Sequence, residues 1–63
     1  MCFPMLKKLR LDHSLTQKAI ADVLGIPQSA YSRYETGAGT ITIEYLIQLS
    51  DFYGMTIDEI VRN

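Results

Sequence analysis

Apolar residues recur three and four positions apart in five separate clusters of this chain: Leu6 and Leu9; Ile20, Ala21 and Leu24; Tyr31 and Tyr34; Leu46, Leu49 and Phe52; Ile57, Ile60 and Val61. That spacing keeps one face of a helix apolar, and no stretch alternates with the period of two that a strand requires. Residues that start or stop helices stand between the clusters. Pro4 suits the first turn of a helix running to about Asp12, with Leu6, Leu9 and Met5 inward and Lys7, Lys8 and Arg10 on other faces. His13 and Ser14 close it, the histidine as a dipole partner or solvated cap, and Leu15 anchors the link to Thr16. Thr16 is an N-cap for a two-turn helix that ends at Gly25, and Ile26 and Pro27 force a turn. A third helix follows to Gly37. After a flexible Gly37-Ala38-Gly39-Thr40 connection, Thr42 caps a helix from Ile43 to about Tyr53, stopped by Gly54. In it Leu46, Leu49 and either Phe52 or Tyr53 form the buried stripe, to which Ile47 adds. Thr56 and Glu59 have the form of a capping box and open a short fifth helix. The expected core is Leu6, Leu9, Leu15, Ile20, Leu24, Ile26, Tyr31, Tyr34, Leu46, Leu49, Phe52, Ile57 and Ile60. This predicts an all-α fold of five short helices in one domain, residues 1–63.

The polar positions of the third helix carry the functional signal. Gln28, Ser29, Ser32, Arg33 and Thr36 follow at i, i+1, i+4, i+5 and i+8, which aligns them in one stripe without a carboxylate. A helix about 10–12 Å across fits the major groove of B-DNA. Gln28 offers the bidentate amide that matches adenine N6 and N7, Arg33 matches guanine O6 and N7 or a phosphate, and Ser29 and Ser32 suit either bases or backbone. Gln17 opens the second helix, where free amides and the helix dipole favour an anion. Tyr31 and Tyr34 read as core packing with hydroxyls reaching the surface or a partner, rather than as base-stacking groups.

These residues resemble the helix-turn-helix domain of phage repressors, Cro proteins and the xenobiotic-response-element regulators of bacteria. The resemblance rests on Gln17, Ala21, Gly25 and the Glu35-Thr36-Gly37 ending, with Leu9-Arg10 upstream and IEYLIQLSDFYGMTIDEI downstream, so it covers nearly the whole chain. It implies a compact lambda-repressor-like bundle whose second and third helices form the motif. It puts base contacts at Gln28, Ser29, Ser32 and Arg33. It puts phosphate contacts at Thr16, Gln17, Lys18, Thr36 and Thr42, and a structural ion pair at Arg10 and Glu35. Two departures stand out. Pro27 replaces the usual Ser or Thr cap, leaving the amides of Ser29 and Ala30 to find another acceptor, and the 37–40 turn lacks the Lys or Arg of relatives.

Charge distribution sharpens this picture more than its sum of −1 does. Met1 to Tyr34 carries five basic and two acidic residues, whereas Glu35 to Asn63 carries one basic and five acidic. Such a dipole can turn its positive half to DNA. The cationic candidates per subunit are Lys7, Lys8, Lys18 and Arg33, enough only for weak binding by one copy, so specific binding argues for a homodimer with recognition helices about 34 Å apart. Tyr53, Met55, Val61 or the Met1-Cys2-Phe3 end are the interface candidates. A single cysteine, Cys2, excludes an internal disulfide and fits a reducing cytoplasm; with His13 it cannot close a zinc site, and no cofactor is expected. The apolar Met1–Leu6 run is too short for a membrane span.

No nucleophile–base pair, carboxylate dyad or phosphate-cradling glycine loop is present, so a catalytic site is not expected. The expected function is sequence-specific binding of operator DNA by a transcriptional regulator, in the family most often a repressor. The alternative is a protein-interaction module of the same fold, binding a toxin or another regulator through its acidic half.

Overall fold

Each helix begins and ends where local chemistry dictates. A computed structural model describes residues 3–62, with α1 at Pro4–Asp12, α2 at Gln17–Leu24, α3 at Gln28–Thr36, α4 at Ile43–Tyr53 and α5 at Ile57–Val61. Among these residues there is no strand, and no helix is long and apolar enough to cross a membrane. Of the expected Met1-Cys2-Phe3 interface, Met1 and Cys2 lie outside the described residues, and Phe3 packs half-buried against the core. Thr16 Oγ1 accepts the Ala19 amide at 3.1 Å, and Thr56 with Glu59 closes a full capping box, each satisfying amides that a first turn leaves without partners. Gly25 at φ +71° lets the chain fold back, so that its own amide bonds Asp22 O and the Ile26 amide bonds Ala21 O at 3.0 Å. This double bond ends α2 and starts the sharp turn of the motif. Ser14 repeats the arrangement after α1 at φ +56°, with Leu15 N–H on Arg10 O, although it carries a side chain where glycine is easier.

Two expected caps differ in detail. Thr42 occupies the N-cap of α4 but its side chain makes no capping bond. At Pro27 there is no side-chain cap: the Ala30 amide bonds Pro27 O at 3.1 Å, and the Tyr31 amide makes the ordinary first helical bond to the same oxygen at 3.2 Å.

The helices pack round one core of Leu6, Leu9, Ile20, Ala21, Leu24, Tyr31, Ile41, Leu46, Leu49, Tyr53 and Ile60. α2 packs on α3, α5 bridges α1 and α4, and α4 reaches α2. Leu15, Ile26, Tyr34 and Ile57 are half-buried against this core rather than inside it. Four points differ from the sequence reading. Phe52 is 46 % exposed and Tyr53 takes the inward place, because the side of α4 that faces α5 and α2 is defined by Leu46, Leu49 and Tyr53. Ile47, 47 % exposed, stays outside with Ile43. Ile41, from the connection before α4, fills a core site no helical spacing announced. Arg10, expected off the inner face of α1 and paired with Glu35, is buried.

That burial also changes the expected interface. Tyr53 is spent on the monomer core, with its ring 5.0 Å from that of His13, and Met55 and Val61 pack half-buried against the same core. His13 is exposed, with Nδ1 2.8 Å from Leu9 O, a helix-terminal partner as expected.

Candidate nucleic-acid interface

The outer side of α3 is open. Gln28, Ser29, Arg33 and Thr36 are exposed and Ser32 half-exposed, while Tyr31, on the opposite side of the same helix, is fully buried. One helix therefore holds a polar outward stripe by sinking an aromatic anchor into the core. Tyr34 extends that anchor, its ring edge-on to Tyr31 with centroids 6.4 Å apart and tilted on Tyr45 at 6.2 Å.

The one carboxylate of α3 is removed from this surface. Glu35 turns inward, where Arg10 Nε donates to Oε2 at 2.7 Å and Arg10 Nη2 to Oε1 at 3.1 Å. Arg10 Nη1 donates to Leu15 O at 2.9 Å, and Gln17 Nε2 donates to Glu35 Oε1 at 3.2 Å. The pair is bidentate, and the side chains are only 9 % and 3 % exposed. Burial pushes the Glu35 carboxyl up, but the hydrogen bonds from Arg10 and Gln17, with the facing Tyr31 hydroxyl, outweigh it and hold the pKa below the ordinary value. The Tyr31 hydroxyl faces the same carboxylate without a well-formed bond, and burial followed by Glu35 pushes its pKa up. Arg10 itself is held more firmly protonated by its bond to Glu35, against the opposing effect of burial. The cluster ties α1, the α1–α2 link, α2 and α3 together at the root of the outward stripe.

The expected phosphate contacts are placed unequally. Thr16, Lys18, Thr36 and Thr42 are exposed. Thr16 is occupied as an N-cap, and the Thr36 hydroxyl donates to Arg33 O at 3.3 Å. Gln17 is half-buried with one amide proton committed to Glu35, which the sequence did not reveal because the contact depends on how α2 crosses α3. Lys18 lies 3.5 Å from Asp22, and Lys8 2.9 Å from Asp12, in exposed pairs that cost little to open. Arg33 Nη2 reaches back to Ala38 O at 3.5 Å, and the Gly39 amide bonds Arg33 O at 3.1 Å. The 37–40 connection is thus held against α3. Ala30, Arg33, Tyr34 and Gly39 enclose a small open niche there that spacing alone did not indicate.

Comparison with known proteins agrees with this geometry. The chain is 38% identical over 56 residues to the HTH-type transcriptional activator BcrR of Enterococcus faecalis, across 89% of this chain and 28% of that protein. It is 40% identical over 45 residues to the cryptic phage CTXphi transcriptional repressor RstR of Vibrio cholerae, across 71% of this chain and 40% of that one. A crystal structure of a transcriptional regulator from Listeria innocua superposes with a TM-score of 0.87 at 32% identity, over 90% of this chain and 53% of that chain. The chain spans about half or less of the length of each of these. The helix-turn-helix family model matches residues 6–60, and with α2, the Gly25 turn and the outward α3 in place, the chain belongs to that helix-turn-helix family.

Proposed function

We propose that this chain is the DNA-binding domain of a transcriptional regulator that lays α3 in the major groove of operator DNA. Gln28, Ser29, Ser32 and Arg33 read base edges; Thr16, Gln17, Lys18, Thr36 and Thr42 hold the sugar–phosphate walls. The observation that carries the reading is the sorting of charge on α3: its exposed stripe holds no carboxylate, and Glu35 is turned inward and neutralised by Arg10. Unpaired negative charge facing phosphates would oppose binding. Gln17 keeps a second amide proton for a phosphate while Glu35 fixes its orientation. The working species is a homodimer in the cytoplasm, because two to four cationic contacts from one copy give a salt slope of only ~0.9 each. Repression by occupying the operator requires no contact beyond these.

Selection of bound duplexes from random DNA tests the reading. It should enrich two related half-sites with centres one helical turn, ~10 bp, or a multiple apart. No enrichment over the starting pool would contradict it. That result would favour the interaction-module reading, which has its own support in α4, where exposed Ile43, Ile47 and Phe52 stand among Glu44 and Asp51.

A further inference from the structure

Two helices carry large apolar side chains on the sides turned away from the core. On α1, Pro4, Lys7, Lys8 and Leu11 stand at i, i+3, i+4 and i+7, all exposed, and form one outward stripe. On α4, Ile43, Glu44, Ile47 and Asp51 stand at i, i+1, i+4 and i+8 and form another, exposed throughout. Leu11 and Ile43 are 54 % and 58 % exposed, so the core gains little from either. The two stripes are opposite in charge. Among the described residues Lys7 enters no ion pair, and Lys8 has only its exposed pair with Asp12. Glu44 and Asp51 enter none among the described residues either.

We infer that the outward stripe of α4 docks the outward stripe of α1 from a second copy of this chain. Leu11 of one copy lies on Ile43 and Ile47 of the other, and Lys7 and Lys8 meet Glu44 and Asp51. Charge selects this pairing over the other two that a second copy offers. Packing α4 on α4 sets carboxylates against carboxylates, and packing α1 on α1 sets lysines against lysines; like-charge repulsion opposes both. Only α1 on α4 covers apolar surface on each side and gives every one of the four charges an opposite. One face of each of two short helices makes a contact of the small class, below about 1,200 Å² in total, so association is weak and sensitive to salt. The inference deepens the homodimer reading above but uses no residue of α3, and Lys18 and Arg33 remain exposed for DNA.

Sedimentation equilibrium of the chain without DNA tests the contact. At low ionic strength the weight-average mass of the parent should rise above the monomer value as concentration approaches about 1 mM. An ionic strength of about 1 M, where the Debye length is about 3 Å, should weaken that association several-fold. Lys7→Glu with Lys8→Glu makes both stripes acidic, and Glu44→Lys with Asp51→Lys makes both basic. Each double variant alone should associate about tenfold more weakly than the parent. Mixed in equal amounts, the two should associate as the parent does, because each then meets a stripe of opposite charge. Recovery in the mixture is a result that damage to the fold cannot imitate, and circular dichroism should show each variant helical, since all four positions are exposed. A parent that stays monomeric, which leaves the α4 face to a different protein, overturns the inference. Association that either double variant retains does the same, as does a mixture no stronger than its components. With no DNA present, these outcomes are independent of whether bound duplexes can be selected, so failure here leaves the DNA reading standing.

Discussion

Arg10 places a charge where α1 faces the core, and Glu35 is the reason it can stay there. Removing one member of a buried, hydrogen-bonded pair strands the other, at a cost of about 3–5 kcal/mol. A domain of this length has roughly 3–9 kcal/mol in total at 0.05–0.15 kcal/mol per residue. Arg10→Ala should therefore be largely unfolded at 25 °C by circular dichroism, whereas Arg10→Met combined with Glu35→Leu should regain much of the helical signal. The pH dependence follows from the same residues. Glu35 titrates below its ordinary 4.5 in the folded chain, so its contribution is complete above about pH 4.5 and is lost as pH falls through the folded value. Urea midpoints should hold from pH 7 to 5 and then drop, less steeply in Glu35→Gln. Tyr53 gives the opposite limb: burial pushes it up to about 12, so stability present below pH 10 declines as pH rises toward 12. Its hydroxyl is enclosed without a hydrogen-bond partner among the described residues. Tyr53→Phe should leave neutral-pH stability within about 1 kcal/mol of the parent and reduce the alkaline decline. The ion pair was legible in the sequence through the family resemblance. The third partner, Gln17, was not, because it lies 18 residues from Glu35 and only the crossing of α2 over α3 brings the two together.

At the scale of helices, the ends were legible because they are local. Gly25, Gly37 and Gly54 all take left-handed conformations at helix C-termini, and the helix bounds follow from them. Which side of a helix turns inward was less accessible. Phe52 and Tyr53 are neighbours of similar size, and only the positions of α5 and α2 decide that the tyrosine is enclosed. Ile41 lies in no helix, so periodicity had no hold on it. The stripe on α3 could be read because spacing aligns it, but the niche could not, since its far wall is Gly39 from the following turn. The three threonine caps give a direct comparison. Thr16 and Thr56 accept an amide from their own first turns and Thr42 does not. Thr16→Ala and Thr56→Ala should each cost about 1 kcal/mol in urea unfolding, and Thr42→Ala only a few tenths.

Across the whole molecule, the arrangement separates two tasks. The core and the Arg10–Glu35 cluster fix α3, and the exposed stripe is left free of carboxylate, as the proposed contact with DNA requires. The net charge of −1 conceals this because acidic residues concentrate after Tyr34, beginning with Glu35, which is itself buried and paired. With two copies bound, log affinity should fall against log salt with a slope of about −4 to −7. The most direct measurement is binding of the selected duplex by the parent, Gln28→Ala and Arg33→Ala, with each protein's thermal midpoint recorded alongside. Each substitution is expected to cost ~1–3 kcal/mol of discrimination at one base pair, relaxing preference there, while the midpoints stay within a few degrees because both side chains are exposed. Three proteins, all folded, that bind the duplex with equal affinity and equal base preference would contradict the account.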